Sequence, residues 1–229
     1  MREYQVWVVE IEIDTCGQIS ARIDCPATAV PKAGQYCLAW SPADPSSSLP
    51  MAIFLAQRIE QGFLTAPGMP AAWQPGILLR LRGPFGNGFH LPHGIQRMAL
   101  AAFGDSPARL LPLIPPALEQ NIAVTLFSQV SPIALPTAVE ISHLDELPEA
   151  MQWADFLAID MPGRQLNQLS RILKLDDPRQ CSIPAQILIG APMPCGGMAN
   201  CGVCALPNQR QLKLACHDGP VFDLRTLEW

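Results

Sequence analysis

Cys195, Cys201, Cys204 and Cys216 follow one another with the spacing C-x5-C-x2-C-x11-C, the first three inside the run Pro194-Cys195-Gly196-Gly197-Met198-Ala199-Asn200-Cys201-Gly202-Val203-Cys204. Four thiolates can complete the tetrahedral sites of two sulfide-bridged irons, a [2Fe–2S] cluster, and such soft ligands suit iron–sulfur or zinc chemistry. A loop wrapped round a cluster must turn tightly and aim backbone N–H groups at sulfur, which Gly196, Gly197 and Gly202 permit because they carry no Cβ. The spacing is close to the C-x4-C-x2-C…C pattern of two-iron clusters, with one residue added in the first gap. Zinc is the competing reading, since Cys-x2-Cys serves both metals. Zinc ribbons, however, are usually built from two short-spaced cysteine pairs, and here the fourth ligand is single. His217, beside Cys216, reads as a surface or supporting residue rather than a ligand.

Little else in the chain suggests chemistry of its own. The four histidines (His90, His93, His143, His217) are scattered, and no acid/base pair or Ser/His/Asp grouping stands out, so no catalytic side chain is assigned. Cys16, Cys25, Cys37 and Cys181 stand alone and read as buried small hydrophobes. The net charge of −5, only 15% charged residues and the lack of a Lys/Arg cluster argue against a nucleic-acid partner and leave a weakly charged surface for protein contacts. No apolar run is long enough to span a bilayer, and no signal-like segment follows Met1, so a cytoplasmic location without membrane contact is expected. In that reducing compartment clustered cysteines bind metal more often than they pair.

The elements that must position the cysteines come in three blocks. With 229 residues, 49% of them hydrophobic, the chain can bury cores of its own, and its 24 prolines are scattered as loop punctuation. From Tyr4 to Arg82 short strands alternate with Pro/Gly/Ser turns: Val6, Val8 and Glu10–Ile13, then Ile19–Ile23, Gln35–Trp40, Ala52–Gln57 and Ile77–Leu81. These predict a small antiparallel β-barrel or sandwich over residues 1–89. Residues 90–190 change character, with strands at Met98–Phe103, Ile122–Ser128, Phe156–Ile159 and Gln186–Ile189. A proline-interrupted helix at Ala108–Gln120 and a helical Leu166–Leu173 lie between them, which predicts a parallel-sheet α/β domain. Residues 191–229 have no obvious core, and a metal centre is expected to organise them.

The order barrel, α/β domain, cysteine-cluster tail resembles the electron-transfer subunit of NAD-dependent dihydroorotate dehydrogenase, within the ferredoxin-reductase-like superfamily. The likeness runs over essentially the whole chain. It is carried by Gly83-Pro84-Phe85-Gly86-Asn87-Gly88-Phe89, similar to a G-P-L-G-N-G-F junction, and by Cys216-His217-Asp218-Gly219-Pro220-Val221-Phe222-Asp223, similar to C-x-D-G-P-V-F. Ala33-Gly34-Gln35-Tyr36 is a weaker match to a P-G-Q-F turn. The resemblance implies FAD between barrel and α/β domain, NAD on the latter, and a [2Fe–2S] cluster relaying electrons to FMN in a separate dehydrogenase catalytic subunit. It therefore implies a hetero-oligomer working in pyrimidine biosynthesis.

Residue by residue, the flavin and nucleotide motifs depart from that pattern. Leu49-Pro50-Met51-Ala52 stands where the family has R-P-x-S, so the phosphate-binding arginine and the serine hydroxyl are replaced. No G-K-G-T segment is found in Gly62–Gly68. Pro50, Gly83, Pro84, Gly86, Asn87 and Gly88 remain as the candidate flavin contacts, with a plain connecting turn as the alternative for the glycine run. Ala102-Phe103-Gly104-Asp105-Ser106-Pro107-Ala108 keeps one glycine where the family has a glycine-rich loop, and Asp105 sets negative charge where a pyrophosphate would sit, which argues against NAD. Two further readings stay open: an iron–sulfur partner subunit that has lost flavin and NAD, and a zinc-stabilised interaction module.

Overall fold

The computed structural model describes residues 3–14, 17–44, 49–130, 135–207 and 212–228. Cys16 and part of the proline/serine turn before Pro50 lie outside them. Strands β1 (Glu3–Ile13), β2 (Ile19–Asp24), β3 (Tyr36–Trp40), β4 (Met51–Ile59), β5 (Gly62–Thr65) and β6 (Leu78–Phe85) close into a barrel in the order β1-β2-β5-β4-β3-β6. The period-2 pattern read in the sequence sends Val6, Val8, Ile23, Ile53, Leu55, Leu79 and Leu81 inward around the fully buried Trp73. Strand β5 was not foreseen: Gly62-Phe63-Leu64-Thr65 is too short to show alternation, yet closure needs it between β2 and β4.

The second block supplies β7 (Arg97–Ala102), α1 (Ile114–Glu119), β8 (Ala123–Ser128), β9 (Val139–Ser142), α2 (Leu147–Ala150), β10 (Phe156–Pro162), α3 (Leu169–Leu173) and β11 (Ala185–Gly190). The five strands run parallel in the order β11-β10-β7-β8-β9, as the apolar runs predicted, with β9 as an unforeseen edge. The predicted helix over Ala108–Gln120 shrinks to a 3-10 turn at Leu111–Leu113 and the six residues of α1, because prolines at 112, 115 and 116 remove N–H donors. No helix among the described residues is long and apolar enough to cross a membrane.

The tail folds back on both blocks. A short hairpin, β12 (Ala205–Leu206) with β13 (Lys213–Leu214), follows the cysteine loop, and β14 (Val221–Asp223) pairs antiparallel with β11. A core for the tail, which the sequence did not show, is borrowed: Cys204, Leu206, Ala215, Cys216, Phe222, Leu224 and Leu227 share one apolar cluster with Ile159, Ile187 and Ile189 of the sheet and with Tyr36 and Leu38 of the barrel. Strand β3 thus faces two ways, with Cys37 and Ala39 in the barrel interior and Tyr36 and Leu38 against the tail.

Candidate cluster centre and interdomain cleft

The four cysteines predicted as ligands meet in two pairs. Cys195 contacts Cys201, Cys204 contacts Cys216, and Cys195 acts on Cys216 through space. Gly196 and Gly197 both have positive φ (62° and 73°), which lets the loop turn within two residues. A Cβ on Gly197 would stand 3.0 Å from the Tyr36 hydroxyl and 3.4 Å from Leu38, so the loop lies directly on strand β3.

The turn directs main-chain donors at sulfur. Desolvation pushes the Cys195 thiol up, but the Cys201 thiol and the N–H groups of Asn200, Met198 and Ala199 outweigh it and bring it down to about 6. Burial, then the Cys204 sulfur, raises Cys216 to about 12, although the Ala199 N–H also points its way. Two crowded sulfur pairs with convergent N–H groups fit the donor set of a two-iron cluster, where each iron takes two thiolates. Among the described residues no three His, Cys, Asp or Glu side chains stand gathered round a single metal position. Arg82 adds a further sign of fit: its Nη2 donates to the Gly196 carbonyl at 3.3 Å, while its buried Nε has no hydrogen-bond partner among the described residues.

Exposure grades across the centre. Cys216 and Cys204 are buried, Cys195 is half-buried and Cys201 is exposed. His217 is also exposed, with Nδ1 3.2 Å from Asp218 Oδ1. Cys25, Cys37 and Cys181 are buried, as the sequence suggested. Burial raises all three thiols, Cys25 to about 11 and Cys37 to about 12.

The run Gly83–Gly88 braces the tail that carries Cys216. Asn87 donates from its N–H to Gly219 O (2.6 Å) and from Nδ2 to Asp218 O (2.7 Å), and a Cβ on Gly86 would sit 2.6 Å from both Gly219 O and Pro220 Cδ. Gly83 packs on Cys37 and Tyr36, Gly88 on the Ala33 carbonyl, and Pro50 against Gly196. Pro84 continues strand β6 beside them. None of these six candidates lines the cleft between barrel and α/β domain.

That cleft, of about 380 Å³, opens between barrel and α/β domain, walled by Met51, Ala52, Phe54, Phe103 and Met69, with Arg109, Arg164 and Asp105 also lining it. Its apolar and aromatic walls suit a flat ring. A diphosphate finds less there. The N–H groups of Ala66, Gly68 and Met69 are spent on the carbonyls of Phe54 and Ile19, and residue 67 is proline. Arg109 is held by Asp160, which is fully buried: Nε donates to Oδ2 at 2.8 Å, Nη2 approaches Oδ1 at 2.6 Å, and the guanidinium lies 5.3 Å from the Phe54 ring centre. Burial pushes the Asp160 carboxyl up and Arg109 pulls it back. The pair sits at the carboxyl ends of the parallel strands, the crevice where open α/β sheets bind dinucleotides. Sequence reasoning missed it, since no motif links residues 109 and 160.

This fold is shared with flavin- and pyridine-nucleotide-linked reductases. The chain is similar to an NADH-dependent reduced ferredoxin–NADP oxidoreductase described for flavin-based electron bifurcation (16% identity, TM-score 0.72, 97% of this chain and 89% of that one). It is also similar to the ferredoxin reductase of carbazole 1,9a-dioxygenase (15%, 0.63, 82% and 68%) and to phthalate dioxygenase reductase, a modular protein for electron transfer from pyridine nucleotides to [2Fe–2S] (12%, 0.58, 94% and 77%). The tail is more particular: residues 191–228 match the iron–sulfur cluster binding domain of dihydroorotate dehydrogenase B. No curated protein matches the chain in sequence.

Proposed function

We propose that this chain is an electron-transfer subunit in which Cys195, Cys201, Cys204 and Cys216 hold a [2Fe–2S] cluster that exchanges electrons with a separate dehydrogenase subunit of the dihydroorotate-oxidising type, itself FMN-containing. The observation that carries the reading is the two-and-two pairing of the thiols under convergent N–H groups, within a segment that matches an iron–sulfur binding domain. The cluster supplies one-electron transfer. The protein's part is to hold the thiolates, shield Cys204 and Cys216, and leave the Cys201 edge accessible. Leu49, Met198, Val203 and Leu212 are exposed apolar side chains. Three of them belong to the cysteine loop and its hairpin, and Leu49 adjoins Pro50, which touches Gly196. Such an apolar surface suits burial against a partner subunit.

FAD is the proposed resident of the interdomain cleft, its ring against Met51, Ala52 and Phe54, linking a pyridine nucleotide to the cluster. A second reading is favoured by Leu49, by the spent donors at residues 66–69 and by the Arg109–Asp160 pair: a subunit that keeps the cluster without flavin or NAD. Anaerobic purification with iron, sulfide, zinc and flavin measured on one sample decides. Two irons, two sulfides and one FAD per chain support the relay. The same cluster without flavin supports the second reading, and zinc without sulfide refutes both.

A further inference from the structure

The cluster reading rests on the tail, but two barrel residues reach the same place. Tyr36 on β3 is fully buried, and its hydroxyl donates to the Cys216 carbonyl at 2.7 Å across 180 residues of sequence. Its ring is held by Phe54 and Phe85, at centroid distances of 6.0 and 5.7 Å. Arg82 on β6 is paired with Leu38 in the barrel register and donates to the Gly196 carbonyl. Among the described residues no carboxylate forms an ion pair with Arg82, although Arg80, two positions earlier on the same strand, is paired with Glu3 at 2.9 Å on the surface. Between Tyr36 and Leu38 the β3–β6 register slips, an irregularity of the kind that re-aims side chains beside functional sites.

Resting on the cluster reading, we infer that Tyr36 and Arg82 are positioning residues that raise the reduction potential of the cluster. Reduction adds one electron to an already anionic iron–thiolate group. A half-buried guanidinium with an unused N–H, and an O–H dipole fixed on the main chain of a ligand, both stabilise the added charge, and hydrogen bonding and burial are the protein's levers on such potentials. Neither residue touches a thiolate covalently, so the cluster can load without them.

The test is an anaerobic, dye-mediated redox titration of the full chain, followed by absorbance and by the electron paramagnetic resonance of the reduced cluster. Iron and sulfide counts establish loading. Tyr36→Phe removes only the hydroxyl and Arg82→Met only the charge. Each is expected to lower the equilibrium constant for reduction about tenfold, about 59 mV for one electron, with loading unchanged. Arg80→Met, which removes the same charge from the surface of the same strand, is expected to leave the potential in place. Phe85→Leu, which loosens the Tyr36 ring but keeps its hydroxyl, serves as the packing control and is also expected to leave it in place. Wild-type potentials in loaded Tyr36→Phe and Arg82→Met overturn the inference, as does an equal shift in Arg80→Met or Phe85→Leu. If the wild-type chain holds no cluster, it is the proposed function that fails.

Discussion

Replacing Arg109 by leucine strands a carboxylate. Asp160 has no exposed surface, and Arg109, whose side chain is 20% exposed, is its cover and its counter-charge. Removing one partner of a buried pair costs about 3–5 kcal/mol, because the other is left desolvated and uncompensated. In a chain of this size that corresponds to a fall in melting temperature of roughly 10 °C. The loss also depends on pH. With Arg109 gone, only the upward push of burial on Asp160 remains, so its folded-state pKa lies above its unfolded value. The folded state then binds the proton more readily, the deficit is largest above the folded pKa, and it shrinks as the pH falls towards the ordinary carboxylate range. Urea unfolding of wild type, Arg109→Leu, Asp160→Leu and the double variant between pH 5 and 8 measures this. The double variant is expected to regain most of the stability lost by Arg109→Leu. A cost below about 1 kcal/mol for Arg109→Leu, well short of the buried-pair range, or a double variant no better than the single, refutes the argument that burial of Asp160 dominates here.

Three further outcomes follow from the tail. Cys201→Ser is expected to abolish the iron–sulfur absorbance, since a hard oxygen replaces a soft thiolate; retention of full iron and sulfide removes Cys201 from the ligand set. Gly86→Ala is expected to destabilise the chain by about 1–3 kcal/mol, because φ at Gly86 is 75° and its Cβ would meet Gly219 O and Pro220 Cδ, and to lower cluster loading with it. Unchanged urea midpoint and iron content would show that Gly83–Phe89 does not brace the cysteine tail. Asn87→Ala loses the bond to Asp218 O and is expected to cost about 1 kcal/mol in the same assay, while leaving any flavin content as it was.

The sequence showed the parts whose signal is local. Alternation in β1 and β4, the apolar runs of β7, β8, β10 and β11, and the four clustered cysteines each lie within a short window, and the barrel, the parallel sheet and the cysteine tail followed from them. What stayed hidden is pairing across distance. Strand β14 is three residues long and gains meaning only from β11, whose edge it completes. Tyr36 lay in a segment already singled out as a turn, but nothing in the sequence ties it to Cys216. The Gly83–Gly88 run was read for flavin contact; that it also lies against residues 218–220 stayed hidden, a partner too remote in sequence to be inferred.

The shared core of barrel, sheet and tail also sets a timetable for maturation. Strand β3 leaves the ribosome some 180 residues ahead of the Cys216 segment, yet each is packed against the other. Contacts so distant along the chain form late, after the loop between them has closed. Cys216 is therefore brought to the other three thiols only once the segment that carries it has packed on β3 and β14 has joined the sheet. On the proposed cluster reading, a nascent chain carrying Cys195, Cys201 and Cys204 presents an unfinished socket, and cluster assembly belongs after folding rather than during synthesis.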